Sequence, residues 1–185
     1  GVTLSHPHGQ IYAYPFVPPR DEKIRSSARA HRELTGGNLF DDVLAFERQS
    51  GERILYDGEH WTAFVPQAAR WPFEVQMFPK RGISRLPELS APEKLEFATM
   101  YLSILQALDR VLGVEMPYIA AWHQAPVHAH DDDSRLFLEV FSLRRAAGKL
   151  KYLAGSESAA GVWINDISPE AAAQALREEL KQVSA

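Results

Sequence analysis

Residues 5–10 read Ser-His-Pro-His-Gly-Gln and lead directly into an apolar, aromatic run, Ile11-Tyr12-Ala13-Tyr14. On an extended chain, His6 and His8 lie on the same face, about 6.5–7 Å apart along the strand. The proline between them stiffens the pair and removes one backbone donor. We interpret the rest of the chain as supporting this segment or completing the site to which it belongs.

The side chains of this segment can do two kinds of chemistry. A neutral imidazole is a good zinc ligand, and a histidine nitrogen can attack phosphorus and later leave again. Gly9 lets a phosphate approach the backbone, and the Gln10 amide can donate a hydrogen bond to a phosphoryl oxygen on which charge builds up. A lone His-x-His is more often part of a surface loop, but the order His-Pro-His-Gly-Gln is much more specific. The spacing alone leaves the role of each histidine open.

Length and composition are those of a globular domain of ordinary size. The chain has 185 residues, of which 45% are hydrophobic and 24% are charged, which is enough for a substantial core. Its net charge of -4 gives no general attraction to nucleic acid, and no apolar run is long enough to span a bilayer. The absence of cysteine excludes disulfides, thiol catalysis and thiolate metal sites. Because the sequence starts in a strand-like stretch without methionine, we expect a fragment, a processed chain or one part of a split enzyme.

The order of the predicted elements indicates an α+β fold, with an antiparallel sheet and helices packed on it. The strongest helix is predicted over 91–112, where Ser90 and Glu93 form a capping box and an apolar stripe recurs at helical spacing. The stripe consists of Leu95, Ala98, Leu102, Leu105 and Leu108. Further helices are predicted over 39–50 and 169–183, and strands over 54–56, 61–66, 74–79, 118–123 and 136–143. Residues 20–35 fit either a solvated helix or a loop.

Residues 5–13 closely resemble the active-site signature of the galactose-1-phosphate uridylyltransferases, a branch of the histidine-triad (HIT) superfamily. Further motifs follow in the order that the family shows. They are Glu59-His60-Trp61, Trp71-Pro72-Phe73-Glu74, Pro79-Lys80, Trp122-His123-Gln124-Ala125-Pro126 and the segment 149–157. The resemblance covers nearly the whole chain but only about the carboxy-terminal half of the family's usual length. It implies a HIT-like half-domain over 21–185, preceded by residues 1–20, the last strand and active-site loop of a first half.

The resemblance implies a ping-pong transfer of UMP from UDP-glucose to galactose 1-phosphate. His8 matches the histidine that attacks the α-phosphorus, so that glucose 1-phosphate leaves and a uridylyl-histidine intermediate forms. Gln10 matches the glutamine that hydrogen-bonds the phosphoryl oxygen, and Thr3 and Gly9 lie where the substrate phosphates are expected. His6 matches a zinc ligand that holds the loop of the nucleophile in shape.

The same resemblance implies a dimer with shared active sites. Lys151, Tyr152, Gly155 and Glu157 lie in the segment that contacts the hexose of the neighbouring subunit's substrate. UDP-glucose and galactose 1-phosphate are the expected small-molecule partners, and the polypeptide partner is either a second copy or a separate amino-terminal half. We expect no nucleic-acid or membrane partner, and a cytoplasmic location.

Both metal sites of the family are incomplete in this chain. The other ligands of the zinc at His6, usually two cysteines and a histidine, belong to the family's amino-terminal half and are expected from there. A second metal site in some members uses a glutamate and three histidines, and His123 matches the first of these histidines. Phe137, which cannot ligate a metal, and Glu139 stand where that site has its later His-x-His, and Ile24 falls near its glutamate.

Two alternatives remain beside uridylyl transfer. One is another enzyme of the HIT superfamily, a nucleotidyl phosphorylase or hydrolase that uses phosphate or water as acceptor. The segment 151–157 speaks against it, because those enzymes have no evident need for that segment. The other is a non-catalytic half retained after a gene split, since an isolated chain would lack most of the family's zinc ligands and uridine-binding residues.

Overall fold

A five-stranded antiparallel sheet forms the centre of the fold in the computed structural model, which describes residues 11–127 and 133–183. Its strands are β1 (Ile54–Asp57), β2 (Trp61–Phe64), β3 (Val75–Pro79), β4 (Tyr118–His123) and β5 (Phe137–Ser142). Their order across the sheet is β1-β2-β3-β5-β4. Two short strands, β6 (Arg144–Ala146) and β7 (Lys149–Leu150), form a separate hairpin.

The alternation of side chains along the strands gives the sheet two apolar faces. Trp61 and Ala63 of β2 belong to one core cluster, whereas Phe64 of the same strand belongs to the other. On β5, Leu138 faces the first cluster and Phe137 the second. Because successive side chains of a strand point to opposite faces, a sheet with this pattern needs a cover on both sides.

Helices cover both faces of the sheet. The helices of the chain are α1 (Pro19–Thr35), α2 (Leu39–Ser50), α3 (Ala91–Val111), α4 (Gly155–Ala160) and α5 (Pro169–Val183), of which all but α4 cover the sheet. Helices α3 and α5 contact each other and pack on the first face. Ala28 of α1 and Phe40 and Leu44 of α2 pack on the second face. The two helices that come first in the chain, α1 and α2, thereby lie over the same face of the sheet as His123, the last residue of β4.

The long helix α3 begins as predicted but buries only part of the predicted apolar stripe. The Glu93 N–H donates to Ser90 Oγ at 3.4 Å and the Ser90 N–H donates to Glu93 Oε2 at 2.7 Å, so the capping box is confirmed. The predicted apolar stripe is wrong in part, because Leu95 and Leu102 are 73% and 57% exposed. The buried residues that pack on the sheet are Met100, Ile104, Ala107 and Leu108.

The α+β fold class, with an antiparallel sheet and helices packed on it, is confirmed. Residues 20–35 are helical and belong to α1, whereas α4 and the hairpin of β6 and β7 were not predicted. The boundary between the two predicted parts of the chain, at residue 20, stays a prediction. Across the described ranges, no helix is both long enough and apolar enough to cross a membrane.

Candidate functional site

The segment predicted to carry the chemistry ends where the described structure begins. The predicted nucleophile, zinc ligand and phosphate-binding residues lie outside the described residues, and they are Thr3, His6, His8, Gly9 and Gln10. Their roles stay predictions. The described chain starts at Ile11 and enters α1 at Pro19, so a short stretch joins the predicted active-site segment to the domain.

The residues that follow the motif expose aromatic side chains. The rings of Tyr12 and Tyr14 are stacked with their centroids 6.4 Å apart, and the centroids of Tyr14 and Phe16 are 5.4 Å apart. All three residues are more than half exposed, and so is Ile11. A contiguous set of exposed apolar side chains is typical of an interaction surface or a binding groove. An apolar surface is therefore formed by the residues that directly follow the predicted active-site segment in the sequence.

Lys151 and Glu157, two of the predicted hexose-contacting residues, are buried and lie next to each other. Lys151 Nζ is 3.6 Å from Glu157 Oε1 and donates to the backbone carbonyls of Arg70, at 2.8 Å, and Ile164. Glu157 accepts hydrogen bonds from the N–H groups of Ala154 at 3.1 Å and Ile164 at 3.4 Å. Burial works to raise the pKa of Glu157, but these hydrogen bonds and the Lys151 charge outweigh burial and lower it.

Two tryptophans lie close to the Lys151 ammonium group. Nζ is 5.5 Å from the Trp71 ring centroid and 5.8 Å from the Trp163 ring centroid, within the range of cation–π contacts. Lys151 is therefore an internal support for the segment that leads into α4. Tyr152, by contrast, is 81% exposed, and Gly155 is exposed at the start of α4. Of the predicted hexose-contacting residues, these two present an accessible surface.

His123, the predicted ligand of a second metal, lies among buried charged side chains. Its ring stacks on that of Phe137, with centroids 4.4 Å apart. Nδ1 is 2.6 Å from Asp21 Oδ1, and Nε2 is 3.4 Å from Glu139 Oε2. Burial works to lower the pKa of His123, but the hydrogen bonds to Asp21 and Glu139 outweigh burial and raise the pKa above its ordinary value.

Glu139 is at the centre of these charged groups, and its side chain is completely buried. Arg20, in the first turn of α1, donates from Nη1 to Oε2 at 2.5 Å and from Nη2 to Oε1 at 2.8 Å. Arg70 Nη2 donates to Oε1 at 2.6 Å. Burial works to raise the pKa of Glu139, but the hydrogen bonds that it accepts, first of all from His123, outweigh burial and hold the pKa well below its usual range.

Glu74 adds a second buried carboxyl group. Its Oε2 accepts hydrogen bonds from the backbone N–H groups of Arg70 at 2.8 Å and Trp71 at 3.3 Å. Burial, followed by the hydrogen bond with Glu139, raises the pKa of Glu74 to about 8. With this pKa, the Glu74 carboxyl group is mostly protonated at neutral pH. Together these side chains form the Glu139 cluster, which consists of Arg20, Asp21, Arg70, Glu74, His123 and Glu139.

The Glu139 cluster does not fit a bound metal ion. Arg20 Nη1 is 3.3 Å from His123 Nε2 and 2.5 Å from Glu139 Oε2, so a positive group already contacts both potential ligands. Phe137 has no ligating atom and covers one side of the His123 ring. In the part of the chain that the structure describes, no group of three or more His, Cys, Asp or Glu side chains is placed to hold a metal ion.

Sequence reasoning missed most of the Glu139 cluster. The available signal is Glu139 itself, because a lone carboxylate inside an otherwise apolar strand needs charged partners when it is buried. Its partners Arg20 and Arg70 come from the start of α1 and from the loop before β3. Neither lies near Glu139 in the sequence, so no local pattern identifies them.

The chain is similar to known proteins over nearly its whole length. A family model described as "Galactose-1-phosphate uridyl transferase, C-terminal domain" matches residues 22–185. The galactose-1-phosphate uridylyltransferase of Streptomyces lividans is 43% identical over 189 residues, which cover 96% of this chain and 53% of that protein. The chain therefore spans about half the length of the curated relatives that it matches.

Solved structures share the fold. A uridylyltransferase structure has a TM-score of 0.90 at 36% identity, covering 98% of this chain and 57% of that chain. A zinc-bound histidine triad family protein from Mycobacterium smegmatis has a TM-score of 0.50 at 17% identity, over 71% of this chain and 85% of that protein. At 17% identity, the similarity to the histidine triad protein concerns the fold alone. The prediction of a HIT-like fold is confirmed.

Proposed function

Because the chain belongs to the galactose-1-phosphate uridyl transferase family, we propose that it takes part in the transfer of UMP from UDP-glucose to galactose 1-phosphate. The observation that carries this proposal is the sequence His-Pro-His-Gly-Gln shortly before the matched domain. The motif offers a nucleophile and a hydrogen-bond donor for a phosphoryl group. Since the relatives are about twice as long as the matched part, the proposed activity is that of the whole protein.

The proposed reaction has two displacements at one phosphorus atom. A ring nitrogen of His8 attacks the α-phosphorus of UDP-glucose, the bond from that phosphorus to the bridging oxygen breaks, and glucose 1-phosphate leaves with the electron pair. A phosphate oxygen of galactose 1-phosphate then attacks the same phosphorus, and His8 leaves. The Gln10 amide donates to the phosphoryl oxygen on which charge builds up, and Thr3 and Gly9 contact the phosphates.

Zinc is the proposed metal, and His6 is the ligand that this chain would contribute. The other ligands would come from outside the described residues, which contain no group of three or more potential ligands around an ion. When bound, zinc would order the loop that carries the nucleophile. His8, two residues further along, would then be held at a fixed distance from the substrate phosphorus.

The proposed hexose-binding surface is the exposed part of the segment 151–157. Tyr152 and Gly155 are accessible there, and the buried pair of Lys151 and Glu157 supports their backbone. The proposed active form is a dimer or a complex with an amino-terminal half. The exposed apolar side chains of residues 11–16 support this proposal, because they offer a surface that a partner would cover. The proposed location is the cytoplasm.

Labelling of the protein by its substrate tests the role of His8. The full-length protein is incubated with UDP-glucose labelled in the uracil ring, and the label that stays on the denatured protein is counted. We expect His8→Asn to abolish labelling at an unchanged Tm, because no ring nitrogen remains to attack phosphorus. His60→Asn, the same change outside the motif, is the control and should label normally. Labelling that persists in His8→Asn would assign the nucleophile to another residue.

An acceptor panel separates this function from nucleotidyl phosphorylase and hydrolase activities. Labelled protein is mixed with galactose 1-phosphate, with inorganic phosphate or with buffer alone, and the released nucleotide is identified. We expect rapid release only with galactose 1-phosphate, as UDP-galactose. If inorganic phosphate released the label as UDP, or buffer alone released it as UMP, at the rate seen with galactose 1-phosphate, the alternative activities would be favoured.

A further inference from the structure

The Glu139 cluster joins the first turn of α1 to the sheet. Arg20 and Asp21 lie in that turn, His123 ends β4, and Glu139 lies in the middle of β5. The two joining contacts are Arg20 to Glu139 at 2.5 Å and Asp21 to His123 at 2.6 Å. They connect residues that are 119 and 102 positions apart in the sequence. Arg20 and Asp21, which are adjacent in α1, thus contact the adjacent strands β5 and β4.

The Glu139 carboxylate has its acceptor positions filled. A carboxylate offers about four lone-pair positions. Oε1 accepts from Arg20 Nη2 and Arg70 Nη2, while Oε2 faces Arg20 Nη1 and His123 Nε2. Most of these partners are guanidinium donors, which stay charged throughout the pH range in which proteins fold. A metal ion would have to displace them.

Each ring nitrogen of His123 also has a partner. Nδ1 faces the Asp21 carboxylate at 2.6 Å, and Nε2 faces Glu139 and Arg20 Nη1 at 3.4 and 3.3 Å. A metal-ligating histidine needs one ring nitrogen with its lone pair directed at the ion. Both ring nitrogens of His123 are therefore already engaged by protein groups.

We propose that the Arg20 guanidinium is the resident cation of the Glu139 cluster, in place of a metal ion at His123, and that it anchors α1 to the sheet. A fully buried carboxylate needs a compensating positive charge, and Arg20 supplies it from α1 while Arg70 supplies it from the loop before β3. The proposal does not depend on uridylyl transfer. It is tested without substrate and can fail while the proposed function holds.

Metal content tests the first part of this proposal. Wild-type protein and His123→Gln are stripped with a chelator, dialysed against Zn²⁺ or, without oxygen, against Fe²⁺, and analysed by plasma mass spectrometry. We expect equal molar metal content in the two proteins, because zinc held through His6 would be common to both. One additional equivalent in the wild type overturns the proposal.

A crystallographic measurement on the wild-type protein covers the case in which His123→Gln does not fold. Crystals are soaked in Zn²⁺ or Fe²⁺, and anomalous difference maps are recorded at the absorption edge of that metal. We expect Arg20 beside His123 Nε2 and no anomalous peak there. A peak within about 2.0–2.3 Å of that nitrogen, the usual distance of a bound metal, overturns the proposal.

Thermal unfolding tests the anchoring part. Arg20→Met removes the charge, and Arg29→Met on the same helix is the matched control, since Arg29 is half exposed and pairs with Asp133 at 3.4 Å. We expect Arg20→Met to lower Tm by about 5 °C or more, without recovery in Zn²⁺, and Arg29→Met to change it by less than about 2 °C. Equal shifts overturn the anchoring role. If Arg20→Met gives no folded protein, Arg20→Lys and Arg29→Lys are compared by the same criterion.

Discussion

The two buried glutamates, Glu74 and Glu139, influence each other's pKa and yet carry different charges. Glu139 is held ionised, whereas burial and its charged neighbour keep Glu74 protonated at neutral pH. Two carboxyl groups in contact cannot both ionise at low cost. The charge therefore stays on Glu139, to which both Arg20 and Arg70 donate hydrogen bonds.

Substitution by glutamine should distinguish these two residues. Glu74→Gln is expected to cost less than about 1 kcal/mol of the free energy of unfolding at neutral pH, because an amide replaces an uncharged group of the same shape. Glu139→Gln is expected to cost about 3 kcal/mol, because it leaves two partly buried guanidinium groups without their carboxylate. Urea unfolding measures both values. Equal losses would mean that Glu139 does not carry the charge.

The pH dependence of stability gives a separate test of Glu74. Its pKa is raised from 4.5 to about 8 in the folded protein, so the folded state binds this proton more tightly than the unfolded state does. The resulting stabilisation is fully present below pH 4.5 and is lost as the pH rises towards about 8. In urea unfolding, the advantage of the wild type over Glu74→Gln should shrink across this range. An advantage that does not change with pH would argue against a protonated Glu74.

Among the helices, α3 has an amino-terminal cap whose contribution can be measured. Ser90→Ala removes the acceptor for the Glu93 N–H and should cost about 1 kcal/mol of the free energy of unfolding. Ser103→Ala is the matched control within the same helix, where the hydroxyl donates to the Thr99 carbonyl at 3.0 Å and the change should cost less than about 0.5 kcal/mol. Similar losses in the two variants would show that the cap has no special role.

The faces and lengths of the elements explain what periodicity could and could not predict. Helix α3 has apolar residues on more than one side, so Leu95 and Leu102 fit a helical stripe as well as Met100 and Ile104 do. Only contact with the sheet and α5 decides which stripe is buried. Helix α4 has six residues and β7 has two, too few for a repeating pattern to appear.

For the whole molecule, the fold class and the family could be predicted because the motifs that identify them are continuous in the sequence. The contacts of the Glu139 cluster and of Lys151 could not, because they join distant segments of the chain. Arg20 reaches Glu139 across 119 positions, and Lys151 reaches the Arg70 carbonyl across 81. Lys151 was predicted to contact a hexose, and its burial against the carbonyl groups of distant residues has no signal in its own segment.

The function proposed for the whole protein depends on a covalent intermediate at His8. After incubation of the full-length protein with UDP-glucose alone, peptide mass spectrometry with fragmentation locates any attached uridylyl group. We expect the group on His8 and not on His6, and we expect galactose 1-phosphate to remove it as UDP-galactose. A protein that forms UDP-galactose without this adduct, or that carries the adduct on another residue, would contradict uridylyl transfer through His8.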